Sequence, residues 1–189
     1  VVGVLPGSRT SELGRILPTL VEAAGLIRTA LPAAQLVFAR APHLDERLFA
    51  PARALDRSAI VEHQTDSVLA ASDVVLTASG TATVQPALHD TPMVVVYRVS
   101  PLEYAIGRRF VNVDTFAMVN LIAEQRLVPE LIQDDFTPEA VAREAVSMLT
   151  DADRTARIRD GLAGVRRRLG GPGGSNRAAG AILDIIRRS

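Results

Sequence analysis

Apolar residues follow two rhythms along this chain: short unbroken runs, and longer stretches spaced every three to four positions. Val1-Val2-Gly3-Val4-Leu5 is such a run, and residues 35–39, 59–62, 73–77 and 92–97 repeat the type. Runs of this length, bounded by turn formers, predict buried parallel strands. Between them Leu13, Ile16, Leu17, Leu20, Ala24 and Ile27 keep helical spacing, and Ser11 ahead of them reads as an N-cap. Residues 44–55 and 65–71 are helical in pattern, and 81–88 predicts a short helix stopped before Pro92. Strands alternating with helices predict an α/β fold, a doubly wound parallel sheet of Rossmann-like type.

The rhythm changes after Arg98. Residues 101–110 mix apolar and basic side chains, and 112–133 read as irregular with short helical pieces. Thr137 as N-cap and Pro138 in the first turn open a helix to Leu149, and Asp151 opens another to Leu169. Gly170-Gly171-Pro172-Gly173-Gly174 predicts a flexible hinge. Beyond it Ser175 reads as the cap of an amphipathic helix with Ala178, Ala181, Ile182, Ile185 and Ile186 on its apolar side. The expected organisation is one domain over 1–169, a hinge over 170–174 and a terminal helix over 175–189.

Composition narrows the chemistry. The chain has 189 residues, 48% hydrophobic and 22% charged, enough for one globular domain with a full core. Its net charge is zero, which gives no support for nucleic-acid binding. The absence of cysteine excludes disulfides, thiolate catalysis and Cys-ligated zinc. His43, His63 and His89 show no metal-ligand spacing and read as surface or loop residues, so no metal is expected. All 21 basic residues are arginine, which removes a Walker lysine, a Schiff-base lysine and a kinase lysine together. No apolar run approaches the ~20 residues of a membrane-spanning helix, and no secretory signal is read. The start at Val1, inside a strand-like run and without methionine, reads as a piece of a longer protein.

Candidate chemistry sits in two turns. Ala78-Ser79-Gly80-Thr81-Ala82-Thr83-Val84-Gln85 follows the apolar run at 73–77 and leads into a helix. Strand, glycine turn and helix together present free backbone N–H groups and the positive end of a helix dipole, a setting for phosphate. Ser79 and Thr81 add hydroxyls, and Gly80 lets the backbone approach a ligand. Pro6-Gly7-Ser8-Arg9 follows the first strand and falls at the same sheet edge by topology, although it lacks G-x-G-x-x-G spacing. The two turns converge on a site for a diphosphate held without metal. Turns of this kind also occur in α/β proteins that bind nothing there.

These residues resemble the lipid-A-disaccharide synthase family. The resemblance is carried by Leu5-Pro6-Gly7-Ser8-Arg9 with Glu12, by Ala78-Ser79-Gly80-Thr81-Ala82-Thr83, and by Thr91-Pro92-Met93-Val94-Val95-Val96-Tyr97-Arg98. Asn120-Leu121-Ile122-Ala123, Pro129-Glu130-Leu131-Ile132-Gln133 and Arg177-Ala178-Ala179 continue it in order. It spans nearly the whole chain but only the C-terminal half of such an enzyme.

The resemblance implies one Rossmann-like half of a GT-B glycosyltransferase, the half that holds UDP. It implies an inverting hexosyl transfer from UDP-2,3-diacylglucosamine to 2,3-diacylglucosamine 1-phosphate, giving a disaccharide 1-phosphate and UDP in lipid A biosynthesis, with no cofactor. Gly7, Ser8, Arg9, Ser79, Gly80, Thr81, Ala82 and Gln85 would bind the UDP-sugar. The general base and the lipid acceptor site would belong to the missing N-terminal half, so this piece alone is expected to be inactive. The resemblance further implies a cytoplasmic enzyme peripheral to the inner membrane.

Gln85 departs from the family pattern, where a glutamate grips the ribose hydroxyls. Either the ribose contact survives in weakened form or Gln85 is a plain helix residue. Arg98 reads equally as a site-edge cation or a solvated strand end. Asn120, Glu130 and Gln133 match family positions near the cleft between halves and are otherwise ordinary polar loop residues. Tyr104, Ile106, Arg108, Arg109 and Phe110 form a basic and apolar patch that meets acyl chains, meets an anionic membrane surface, or packs on the missing half. The terminal helix is expected to fold back on its own domain or to dock on a second copy, giving a homodimer. Alternatives are another UDP-sugar GT-B enzyme, of epimerase or peptidoglycan glycosyltransferase type, and a non-catalytic nucleotide-binding module, which Gln85 favours.

Overall fold

The computed structural model describes residues 1–99, 115–171 and 173–188. The chain opens with β1 (Val2–Leu5), α1 (Thr10–Ala30) and β2 (Leu36–Arg40). A 3-10 turn (Glu46–Phe49), α2 (Ala50–Arg53), β3 (Ser58–Glu62), α3 (Thr65–Ala71) and β4 (Val74–Ala78) follow. A second 3-10 turn (Thr81–Thr83) leads into α4 (Val84–Leu88) and β5 (Met93–Tyr97). Further along are α5 (Met118–Ala123), β6 (Glu130–Ile132), a 3-10 turn (Gln133–Asp135), α6 (Pro138–Thr150), α7 (Ala152–Leu169) and α8 (Gly174–Arg188).

The described strands form one six-stranded sheet in the order β3-β2-β1-β4-β5-β6, and each of their pairings is parallel. A parallel sheet is covered on both faces, which is why β1, β4 and β5 read as continuous apolar runs. Val2, Val4, Val74, Val75, Leu76, Met93 and Val94 are all fully buried. Helices pack on this sheet through one continuous core that includes Leu13, Ile16, Leu20 and Ile27 of α1 and Val141, Ala145 and Leu162 further on. At Gly3 in β1 a Cβ would stand 2.5 Å from Ser72 Oγ, so glycine lets α3 close down on the central strand.

Several sequence expectations shift. Ser11 is not the N-cap of α1: the helix begins at Thr10 with Arg9 in the extended cap position, and no side chain among the described residues caps it. The helical pattern over 44–55 splits into a 3-10 turn and the four-residue α2, because Pro51 starts a new first turn. The stretch read as irregular over 112–133 contains β6, paired in register with β5 through Val96↔Leu131. Three residues after a proline are too few to show a strand period. Ser175 lies inside α8, which begins at Gly174.

Thr137 and Asp151 cap as expected, accepting from Ala140 N at 3.2 Å and Arg154 N at 2.9 Å. Ile182, Leu183, Ile185 and Ile186 of α8 are 52–67% exposed, so that apolar side is not folded back into the core. The patch at Tyr104–Phe110 lies outside the described residues. No described helix is long and apolar enough to cross a membrane.

Candidate functional site

In a sheet of this order the chain leaves β1 for β2 and β3 on one side and crosses back through α3 to β4 on the other. The carboxyl ends of β1 and β4 therefore flank a crevice, the usual ligand site of open parallel sheets. Both candidate turns sit there. Gly7, at φ +101°, turns the chain between β1 and α1, and Gly80, at φ +130°, turns it between β4 and the 3-10 turn. An L side chain is strained in both positions. The turns lie close together: a Cβ built on Gly7 would stand 3.6 Å from the Cβ of Ala78. Thr83 Oγ1 donates to the Gly80 carbonyl at 2.8 Å and holds the second turn closed.

A cavity of about 420 Å³ opens in this crevice, lined by Gly7 and Ser8 of the first turn, by Ala82 and Gln85 beyond the second, and by Arg40, Ala41 and Thr65. Leu5 and Ala39 supply an apolar wall. The first amides of the 21-residue α1 carry no side-chain cap, so they remain a donor set with a positive helix end behind them. Arg9 is exposed beside this end, and its guanidinium donates to Glu12 Oε1 at 2.7 Å. The hydrogen bond to that carboxylate holds the Arg9 pKa above its ordinary value. The crevice thus offers the Ser8 and Thr65 hydroxyls and the Arg40 guanidinium around an apolar wall, with the start of α1 and Arg9 next to its lining, a combination suited to a diphosphate carrying a ring. Among the described residues no cluster of three or more acidic or histidine side chains could hold a metal.

Not every predicted residue faces the cavity: Arg9, Ser79, Gly80 and Thr81 are outside its lining. Ser79 is half-buried, and its backbone N–H donates to Val96 O at 2.8 Å, joining the turn to β5. Thr81 starts the 3-10 turn. Gln85 is exposed at the cavity mouth. Arg98 runs inward instead: Nη1 donates to Thr19 of α1 at 3.2 Å, Nη2 donates to the Phe136 carbonyl, and the guanidinium lies 4.7 Å from the centre of the Phe136 ring. Gln133 accepts from Val99 N at 3.0 Å.

Asn120 is buried, with its amide donating to Val128 O at 2.9 Å and Glu130 Oε1 at 2.6 Å while its oxygen accepts from Val128 N at 2.9 Å. Glu130 also accepts from Phe116 N at 2.7 Å. These two side chains tie α5 to β6.

Arg40 and Thr65 are cavity residues that motif reading missed. Arg40 ends β2, next to β1, and donates from Nη1 to Leu44 O at 2.6 Å and from Nη2 to Glu62. Its Nε is buried without a hydrogen-bond partner among the described residues. The signal available in the sequence was topological: the last residue of every parallel strand neighbouring β1 falls on the ligand edge.

Architecture and crevice together define one Rossmann-like half of the GT-B glycosyltransferase fold. Solved structures of that kind match at the level of fold: a spinosyn forosaminyltransferase, TM-score 0.64 at 15% identity over 98% of this chain and 43% of that one. The UDP-GlcNAc 2-epimerase from Neisseria meningitidis, solved with UDP-GlcNAc, matches with TM-score 0.64 at 11% identity over 100% of this chain and 45% of that one.

A family model described as lipid-A-disaccharide synthetase matches residues 1–182. The chain belongs to that family. A curated lipid-A-disaccharide synthase from Geobacter metallireducens is 40% identical over 188 residues, 98% of this chain and 49% of the relative. One from Anaeromyxobacter dehalogenans strain 2CP-C is 43% identical over 190 residues, again 98% and 49%. The chain spans about half the length of these relatives.

Proposed function

We propose that this chain is the nucleotide-sugar-binding half of a lipid-A-disaccharide synthase. It holds the UDP of UDP-2,3-diacylglucosamine while the glucosaminyl group passes to 2,3-diacylglucosamine 1-phosphate. The observation that carries this reading is the crevice at the β1–β4 switch point, where Gly7 and Ser8 face Ala82 and Gln85 across one cavity. In the transfer the bond from the anomeric carbon to the diphosphate oxygen breaks, and negative charge builds on UDP. The free amides at the start of α1, with Arg9 beside them, stabilise that charge without metal. Ala39, Ala41 and Leu5 seat the ring portion of the nucleotide, and Gln85 lies where the ribose hydroxyls reach the mouth.

The general base and the acceptor lipid are assigned to the part of the relatives that this chain does not span. The exposed isoleucines of α8 dock on that part or on a second copy of the chain, and the assembly works peripherally at a membrane surface. A nucleotide-binding module without turnover is the second reading, favoured by Gln85 in place of a carboxylate.

Titrating UDP, UMP and ADP into the chain by calorimetry tests the reading. UDP is expected to bind between micromolar and millimolar and to be preferred over ADP. No heat at millimolar UDP, or equal binding of ADP, overturns it. Gln85→Glu is expected to tighten UDP binding about fivefold at neutral pH, the equivalent of about 1 kcal/mol for a charge-assisted bond. An unchanged dissociation constant would mean that position 85 does not meet the nucleotide.

A further inference from the structure

α1 carries two residues that a helix interior disfavours, Gly14 and Pro18. Proline has no N–H for the carbonyl four residues back, which here belongs to Gly14. The pair stands at i and i+4 and so shares one helix face. Among the described residues nothing lies within 4 Å of the place a Gly14 Cβ would occupy, and its φ is ordinary. Neither packing nor backbone conformation accounts for glycine there.

That face is the floor of a second cavity, about 370 Å³ in volume and almost wholly apolar. Leu13, Leu17 and Val21 of α1 line it, and Leu48 and Pro51 stand opposite. Leu48 is 42% exposed although leucine gains from burial. Polar groups occur only at the two ends, Thr10 and Glu22. Along α1 the lining from Thr10 to Val21 rises roughly 16 Å at the helical 1.5 Å per residue. The groove follows the helix, and it is floored by a glycine where a side chain would have filled it.

Its position is as informative as its lining. The groove begins at Thr10, two residues beyond Ser8, which lines the nucleotide crevice. One loop separates the two cavities: Arg40 and Ala41 face the crevice, Leu48 and Pro51 face the groove. That loop is pinned to the first turn by His43 Nε2 at 2.7 Å from the Ser8 carbonyl. A single molecule that occupies both must be anionic at one end and an extended hydrocarbon at the other.

We infer that the groove along α1 receives an acyl chain of the nucleotide-linked lipid whose diphosphate occupies the crevice. The inference rests on the nucleotide-sugar reading given above. The groove then measures chain length: each methylene held in it contributes up to about fourfold in affinity.

The test uses two arms on this chain. In the first, UDP-2,3-diacylglucosamine with six-carbon or ten-carbon chains is titrated against UDP into the unchanged protein, Gly14→Leu and Leu48→Gln. Gly14→Leu places a side chain in open space on the groove floor and favours the helix, so the fold is expected to persist by circular dichroism. The expected result is an affinity that rises at least tenfold from six to ten carbons in the unchanged protein and not in either variant, with UDP binding the same in all three. Retained chain-length dependence in both variants, with UDP binding intact, overturns the groove assignment and points to another apolar surface. In the second arm a dansylated undecanoic acid reads the groove without any nucleotide. Probe fluorescence that both variants abolish supports the groove even if UDP fails to bind, a result that would sink the nucleotide reading alone. Probe binding that neither variant alters, or no probe binding at all, overturns it.

Discussion

Asn120→Ala should lower the unfolding free energy by about 3 kcal/mol, read as a shift in the urea midpoint with an unchanged slope. The substitution removes three hydrogen bonds at once and strands their partners: the Val128 N–H, the Val128 carbonyl and one oxygen of Glu130. Asn120 is 1% exposed and Glu130 8%, so water is poorly placed to replace the lost bonds. An unsatisfied buried group costs about 1–3 kcal/mol, and partial relaxation keeps the sum below the simple total. The same experiment separates two roles for these residues. If Asn120 and Glu130 only join α5 to β6, the folded fraction of the variant binds UDP as the unchanged chain does. A loss of UDP affinity with full stability would instead make Asn120 a ligand contact.

Ala82→Phe should weaken UDP binding by at least about 30-fold, equivalent to about 2 kcal/mol, while the melting temperature stays close to that of the unchanged chain. Ala82 is half-buried and forms part of the wall between the two turns. A ring at that position projects into the cavity that the ligand would fill and displaces little of the core, because the cavity is open space in the free protein. Calorimetry against UDP with a parallel thermal melt reads both quantities. Undiminished affinity would place the nucleotide somewhere other than this crevice.

Much of the sheet was legible because parallel strands are buried on both faces and leave unbroken apolar runs. α3 was expected over 65–71 and is found there, and the caps at Thr137 and Asp151 announce α6 and α7 through side chains suited to free amides. β6 escaped notice because it is three residues long and begins with a buried glutamate, an outlier to the apolar rule. Ser11 misled for a different reason. Its residue type fits a cap, but α1 has its cap position two residues earlier, at Arg9, and leaves its first amides without a side-chain cap, where a ligand edge benefits from free donors.

At the site, glycine turns are visible in the sequence because positive φ demands glycine. Gly7 and Gly80 both take it. Arg40 and Thr65 belong to no motif and become site residues only through strand order. Arg98 and Gln133 show the converse. Their polar type suits a cleft, and only tertiary contacts reveal that Thr19, Phe136 and Val99 engage them.

The placement of β1 in the sheet also sets a timetable. Val2 pairs with Leu36 on one side and with Val74 on the other, 72 positions further along the chain. During synthesis at about 5–20 residues per second, roughly 4–14 s pass between emergence of β1 and arrival of its second neighbour. Over that interval one flank of an apolar strand is unmatched and open to pairing with other chains. The yield of folded protein therefore depends on how quickly residues 74–78 follow, and on whether a chaperone shields the waiting edge until they do.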